Sequence, residues 1–191
     1  MSIGKIPSQI TELNFNIVWA QVDRNSRSAF IGIPKKVKLP VNFMLYKFTD
    51  RPVTGDRISA WWSPVTPYDS DPGLLSILNL ARHLGASPAD LTRVMAAVKE
   101  NWNALTHLLE ARLLMPVYGF WGQCSMQKRI DEGESAKPGI PRPAPRMDLS
   151  FRPTGNLPGY SWQLYIPNLT HRHIKQTSFR PVEKISRNYA I

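Results

Sequence analysis

Residues 71–95 read DPGLLSILNLARHLGASPADLTRVM. In the first half of this stretch, apolar side chains recur at the spacing of one helical face. Asp71-Pro72 supplies an N-cap followed by a proline at the first helical position, and Gly85 supplies a C-terminal stop. These signals predict a helix between Asp71 and Gly85.

A second helix is predicted to follow at once. Ser87 and Asp90 stand at the two positions of a capping box, with aspartate in place of the usual glutamate. Apolar residues then recur at steps of three and four from Leu91 to Leu109, so we expect the helix to continue that far. Its apolar face is interpreted as core and not as a cofactor site.

Segments rich in β-forming residues lie on both sides of these helices. Residues 41–49 and 57–62 precede them, and residues 115–124 and 161–170 follow, with an extended continuation at 171–175. Within the third segment Gly119 and Gly122 indicate a bulge or a close approach by backbone or ligand. The order predicts an α+β fold, with a mixed or antiparallel β core and two consecutive helices.

The chain divides into two parts by composition. Residues 1–40 hold one apolar patch followed by polar and basic residues, and we interpret them as an N-terminal leader or a segment packed on the main domain. Residues 41–191 then form a single α+β domain. Within it, residues 125–160 are predicted to be a long loop, because residues 138–159 contain six prolines and three glycines.

The net charge of +10 is concentrated in two blocks. Residues 24–57 contain eight basic and two acidic side chains, and residues 125–191 contain eleven basic and five acidic ones. Such blocks favour a polyanionic partner, namely RNA, DNA, an anionic lipid surface or a phosphate-bearing cofactor. An ordinary soluble basic surface explains the same charge equally well.

Several classes of protein are excluded by the sequence. No apolar stretch approaches the ~20 residues of a membrane-spanning helix, and no classical export signal is present. Phosphate-binding glycine loops, dinucleotide-binding glycine turns, HExxH helices and GxSxG elbows are absent. A lone cysteine, Cys124, excludes an internal disulfide and a four-thiolate zinc site, and it is interpreted as a buried thiol.

Three short motifs lie on the predicted strands. Residues 45–49 read LYKFT, residues 58–64 read ISAWWSP, and residues 162–167 read WQLYIP. In these motifs the sequence resembles the ADP-ribosyltransferase toxin family over about residues 41–175. In that family a first strand holds the dinucleotide, a second carries a serine-centred or aromatic motif beside the nicotinamide, and a late strand begins with the catalytic glutamate.

The resemblance implies a split β core and a set of site residues. NAD, as the substrate, would be bound by one group of residues, and a second position would be catalytic. The implied NAD-binding residues are Tyr46, Lys47, Ser59, Trp61, Trp62 and Ser63, and the implied catalytic residue is Gln163.

Two of these positions depart from the family pattern. Lys47 stands where an arginine would make two-pronged phosphate contacts, so Arg51 or Arg57 are further candidates for the pyrophosphate. Gln163 stands where a carboxylate would stabilise the developing ribosyl cation. A glutamine can still position a ribose hydroxyl. Alternatively, the acid comes from the long loop, where the candidates are Glu132, Glu134 and Asp148.

The function that the resemblance implies is transfer of ADP-ribose from NAD to a macromolecular acceptor, either nucleic acid or protein. The protein would then be a toxin or effector that acts in the cytoplasm of a target cell and has a cognate immunity protein. Two hypotheses from other classes remain open. One is a non-enzymatic nucleic-acid-binding module, and the other is a metal-independent ribonuclease toxin that uses His171 and His173, which an extended backbone would place on one face.

Overall fold

The computed structural model describes residues 12–54, 56, 58–130 and 155–188. They form a mixed α+β fold with a mostly antiparallel sheet, which confirms the predicted fold class at this level. After a 3-10 turn at Trp19–Gln21, the elements in chain order are α1 (Arg24–Ser28), β1 (Lys35–Leu39), β2 (Met44–Thr49), β3 (Trp61–Pro64), α2 (Leu74–His83), α3 (Pro88–Met95), β4 (His107–Leu113), β5 (Val117–Gln123), β6 (Gln127–Lys128), β7 (Asn156–Leu157), β8 (Trp162–Tyr165), β9 (Ile174–Pro181) and α4 (Val182–Asn188).

Seven strands form one sheet in the order β1-β5-β8-β3-β2-β4-β9, and each neighbouring pair is antiparallel. A separate two-stranded ribbon joins β6 to β7. The strands predicted within residues 41–49, 115–124 and 161–170 are all present. Within the described ranges, no helix has the length and apolarity needed to span a bilayer.

Strand β3 pairs with two different neighbouring strands, each through a different part of its length. Its first two residues pair with β8, Trp61 opposite Tyr165 and Trp62 opposite Leu164. Its last two residues pair instead with β2, where Ser63 lies opposite Tyr46. Because the two pairings use different halves of β3, the later residues of β2 have no β3 partner among the described residues. The sheet therefore opens between β2 and β3.

Helix α2, the first of the two helices predicted from sequence, begins two residues later than predicted. Gly73, and not Asp71, is the N-cap, and the Asp71 carboxylate accepts a hydrogen bond from the Gly73 amide at 2.6 Å. Gly73 has φ of +80°, and a Cβ there would lie 2.8 Å from the carbonyl oxygen of Val65. The tight turn before Leu74 therefore requires glycine.

Helix α3, the second of the two helices predicted from sequence, is much shorter than predicted. Ser87 caps it as expected, accepting a hydrogen bond from the Ala89 amide at 3.2 Å, but the helix ends at Met95. The prediction of helix from there to Leu109 is wrong, because residues 96–106 form a loop and residues 107–113 form β4. Strand β4 pairs with both β2 and β9, so its backbone hydrogen bonds are made between strands.

Strands at both edges of the sheet were missed in the sequence. Strand β1 lies in the segment that we assigned to a leader or packing region, and it pairs with β5. At the other edge, residues 171–173 form a turn where an extended continuation was predicted, and β9 follows it. Strand β3 starts later than the predicted 57–62 segment and includes Pro64. Most of the predicted 125–160 loop lies outside the described residues.

The two faces of the sheet bury separate cores. One core contains Leu45, Trp62 and Leu109, and loop residues such as Val53 pack against it. The other contains Tyr46, Phe48 and Leu108 together with apolar residues of α2 and α4. Adjacent residues of β2 and β4 thus alternate between the two cores, as a strand covered on both sides requires.

Candidate functional site

A cavity of about 740 Å³ lies where β2 and β3 separate. One wall consists of the end of β2 and the following residues 50–54, and a second wall consists of residues 96–105. Seven of the candidate residues predicted from sequence are those of the three strand motifs, and they come from β2, β3, the turn before β3 and β8. All of them line this cavity: Tyr46, Lys47, Ser59, Trp61, Trp62, Ser63 and Gln163.

Lys47 is a half-buried cation in this cavity. Its Nζ lies 5.0 Å from the centroid of the Trp62 ring, within the range of a cation–π interaction. Burial lowers the pKa of Lys47 to about 8, although the nearby Asp50 carboxylate acts in the opposite direction. At neutral pH the side chain therefore keeps most of its positive charge inside a poorly solvated site.

The two tryptophans have different surroundings. The Trp62 side chain is fully buried, and its Nε1 donates a hydrogen bond to the Ser59 carbonyl oxygen at 2.8 Å. Trp61 is only partly buried, and its ring packs against Tyr165 with centroids 4.9 Å apart. Since successive residues of a strand point to opposite faces, the two rings approach the cavity from different sides of the sheet.

Tyr46 and Ser63 are paired across β2 and β3 at the point where these strands separate. Tyr46 is almost completely buried, and this burial, together with the Asp71 carboxylate, raises the pKa of its hydroxyl. A hydrogen bond with the Ser63 side chain has the opposite, smaller effect. Tyr46 is thus a neutral hydroxyl group at any physiological pH.

Gln163 approaches the cavity from β8. Its backbone pairs with Gly122 of β5, and its side-chain Oε1 accepts a hydrogen bond from the Cys124 thiol at 3.2 Å. Cys124 is buried, and this burial raises the pKa of its thiol to about 12. The thiol is therefore a neutral hydrogen-bond donor that fixes the orientation of the Gln163 amide, in agreement with a buried thiol and not a nucleophile.

The 96–105 wall is held in place by a buried arginine that the sequence analysis did not single out. The Arg93 guanidinium donates hydrogen bonds to the carbonyl oxygens of Val98, Lys99 and Asn103, at 3.0, 3.1 and 2.8 Å. Asn103 in turn donates to Thr49 Oγ1 at the end of β2, at 3.3 Å. These contacts join the second wall of the cavity to the first.

Two charged residues after β2 also line the cavity. Arg51, a candidate for the pyrophosphate, lies there with its Nε 3.7 Å from Asp50 Oδ1. Asp50, which follows the last residue of β2, was not among the site residues predicted from sequence. The further candidates Arg57, Glu132, Glu134 and Asp148 lie outside the described residues.

The two candidate histidines lie elsewhere. Among the described residues that line the cavity, neither His171 nor His173 is present. His171 Nδ1 lies 3.2 Å from a carboxylate oxygen of Asp56, whereas His173 Nδ1 accepts a hydrogen bond from the Thr170 amide at 3.0 Å. The described part of the chain contains no cluster of three His, Cys, Asp or Glu side chains suited to a metal ion.

No protein-family model matches this chain, and neither a curated protein nor a solved structure is significantly similar to it. The resemblance to ADP-ribosyltransferases therefore stays a prediction from the three strand motifs. The structure adds the relative positions of these motifs, because the strands that carry them, β2, β3 and β8, are neighbours in the sheet.

Proposed function

We propose that this protein binds NAD in the cavity between β2 and β3 and transfers ADP-ribose from it to a macromolecular acceptor. One observation carries the proposal. Seven residues chosen from three separate sequence motifs, from Tyr46 to Gln163, line a single cavity. Its volume of about 740 Å³ lies within the usual range for small-molecule sites.

The charges of the cavity are suited to the phosphates of a dinucleotide. Lys47 supplies an ammonium group inside the cavity, and Arg51 supplies an exposed guanidinium at its edge. A half-buried ammonium interacts more strongly with a pyrophosphate than a fully solvated one does, because less water screens the pair. Lys47 and Arg51 are therefore assigned to the pyrophosphate.

Aromatic and amide groups are suited to the nicotinamide riboside end. Trp61 is the more exposed of the two tryptophans and provides a face for stacking of the nicotinamide ring. The Gln163 carbonyl is occupied by the Cys124 thiol, so its amide nitrogen is the group directed to a ribose hydroxyl. Ser59 and Ser63 also line the cavity and provide further hydrogen-bonding groups.

The reaction is a substitution at the anomeric carbon of the nicotinamide ribose. The bond between this carbon and the nicotinamide nitrogen breaks, and its electron pair leaves with nicotinamide. A nucleophile of the acceptor, from a protein side chain or a nucleic acid, forms the new bond to the same carbon and loses a proton to solvent. Orientation of the bound NAD by the cavity lowers the barrier by fixing the reacting groups.

The experiment measures NAD binding and the formation of both products, nicotinamide and the ADP-ribosylated acceptor. NAD binding is followed by calorimetry, release of nicotinamide by chromatography, and transfer of a label from the adenylate part to the protein and nucleic-acid fractions of a cell extract. Lys47→Ala and Gln163→Ala are expected to lose label transfer. Lys175→Ala and Gln21→Ala change exposed residues of the same types and are expected to behave like the unaltered protein.

The alternatives give different results in the same experiment. Absence of NAD binding and of nicotinamide release, together with salt-sensitive binding of RNA, would overturn the proposal in favour of a nucleic-acid-binding module. Shortening of RNA in the absence of NAD would favour a ribonuclease instead.

A further inference from the structure

We infer that Asp50 supplies the carboxylate that faces the reacting ribose during this transfer. The inference rests on the proposed function and assigns a catalytic residue to it. Nothing in the three strand motifs points to Asp50, which follows the last residue of β2.

Asp50 places a carboxylate in the cavity that is proposed to bind NAD. Of the described residues that line the cavity, it is the sole aspartate or glutamate. Its side chain is about one-fifth exposed, so solvent screens its charge only in part. The carboxylate acts on the ammonium of Lys47, and the Arg51 Nε lies 3.7 Å from one of its oxygens.

The substrate carries two opposite charges on neighbouring groups. The pyrophosphate of NAD is anionic, whereas the nicotinamide ring is cationic, and positive charge moves to the ribose as the glycosidic bond breaks. Lys47 and Asp50 present a cation and an anion from the same wall of the cavity. A site with this pair of charges is complementary to both ends of the nicotinamide ribose phosphate unit.

Gln163 does not provide this charge. Its side chain is neutral, and its carbonyl oxygen already accepts the hydrogen bond from Cys124. An amide can orient a hydroxyl, but it offsets a developing cation less well than a carboxylate does. Asp50 and Gln163 therefore divide between them the two tasks of stabilising charge and positioning the ribose.

The step balances without a further reactant. The bond from the ribose carbon to nicotinamide breaks, and the electron pair leaves with the neutral nicotinamide. The Asp50 carboxylate stabilises the positive ribose carbon. The acceptor nucleophile then bonds to that carbon, its proton passes to Asp50, and Asp50 releases the proton to solvent.

The test separates binding from chemistry. It uses Asp50→Asn at about pH 6.5, because the pKa of Lys47 is about 8 beside the Asp50 carboxylate and loss of this carboxylate lowers it further. NAD affinity is expected to stay within about threefold of the unaltered protein or to rise, since a negative charge near the pyrophosphate is removed. The rate of nicotinamide release is expected to fall about 100-fold or more, which is typical for loss of one preorganised electrostatic group. Asp50→Glu, which keeps the carboxylate, is expected to retain more activity than Asp50→Asn.

Asp69→Asn, a change of an exposed aspartate outside the cavity, is the matched control and is expected to have no effect. Thermal unfolding shows whether each variant folds. If Asp50→Asn does not fold, Asp50→Ser replaces it, and the same fall in the rate of nicotinamide release is expected. Release at the unaltered rate by a folded Asp50 variant, with Gln163→Ala inactive, would overturn the role of Asp50 and leave the proposed function standing. An unaltered protein that neither binds NAD nor releases nicotinamide would overturn both.

Discussion

The ammonium group of Lys47 lies 5.0 Å from the centre of the Trp62 ring, in the cavity where the sheet opens. Trp62 is fully buried, so the ammonium is held over an apolar surface with little access to water. The cation–π attraction offsets only part of the lost hydration, and burial lowers the pKa of Lys47 to about 8. The proposed contact with the NAD pyrophosphate gives this costly charge a role.

Replacing Lys47 by methionine is expected to stabilise the fold in a pH-dependent manner. The pKa of Lys47 falls from 10.5 to about 8 on folding, so below about pH 8 the folded protein bears the full cost of a buried charge. Between these two values the folded state releases the proton that the unfolded state keeps, and the unaltered protein gains stability as pH rises. We expect Lys47→Met to be more stable by about 1–2 kcal/mol near pH 7.

Urea unfolding at several pH values measures this effect. The advantage of Lys47→Met should shrink between about pH 8 and pH 10, while Lys175→Met, at an exposed lysine, should match the unaltered protein throughout. An equal gain at all pH values would show that Lys47 is not buried as a charge.

NAD affinity is expected to fall as pH rises above about 8. The pyrophosphate interacts with the protonated form of Lys47, so binding raises its pKa and weakens once the free protein loses this proton. One linked proton limits the change to about tenfold per pH unit. Lys47→Arg stays charged at these pH values and should bind with little pH dependence, as measured by calorimetry. A pH-dependent Lys47→Arg would assign the titration to another group.

Arg93 is expected to stabilise the 96–105 wall of the cavity. Burial lowers the pKa of its guanidinium, which nevertheless donates to three backbone carbonyl groups. Lysine cannot reproduce this planar arrangement of donors, so Arg93→Lys should cost about 2–3 kcal/mol of stability. Hydrogen exchange should be faster at amides 96–105, and NAD binding should be weaker. Arg24→Lys, at an exposed position on α1, is the control and should change neither measurement.

Gly122 is expected to be intolerant of any side chain. A Cβ at this position would lie 2.7 Å from a ring carbon of Phe30 and 2.8 Å from Pro34 Cβ. Both neighbours are buried, so Gly122→Ala should destabilise the protein by about 2 kcal/mol in urea unfolding. At Gly32 there is open space but φ is +70°, so Gly32→Ala should cost about 1 kcal/mol from backbone strain alone. Equal stability of Gly122→Ala and the unaltered protein would contradict this packing.

Cys124 is expected to be unreactive in the folded protein. Its thiol is buried, and burial raises its pKa to about 12, so almost no thiolate exists at about pH 8. Iodoacetamide should therefore leave the native protein unmodified and should modify it fully in concentrated urea, as shown by mass spectrometry. Rapid modification under native conditions would place the thiol in contact with solvent.

Local signals in the sequence were sufficient for several elements. The Ser87 cap, the proline after it and the apolar spacing before Gly85 predicted where two helices lie, because a helix end is determined by its nearest residues. Strand β5 was predicted, and what lies close to its Gly122 is the side chains of Phe30 and Pro34, not the backbone or ligand that the sequence suggested. The candidate residues were also named from sequence, since aromatic, basic and amide side chains stand out within short apolar strands.

The error at residues 96–113 has a physical cause. Leu105, Leu108 and Leu109 are spaced as on a helix, yet Leu108 and Leu109 enter different cores on opposite faces of the sheet. When both faces of a strand are buried, consecutive apolar residues are compatible with either structure. The pairing of β4 with β2 and β9 decides between them, and that pairing is not local.

The sequence by itself determined the fold class, the end of α2 and the start of α3, and the chemical types of the residues in the site. Only the tertiary structure decided that these residues meet. Their meeting depends on β3, which pairs with β8 through Trp61 and Trp62 and with β2 through Ser63 and Pro64. Contacts between segments far apart in sequence determine this register, and the opening that it leaves brings Lys47, Asp50 and Gln163 to one cavity.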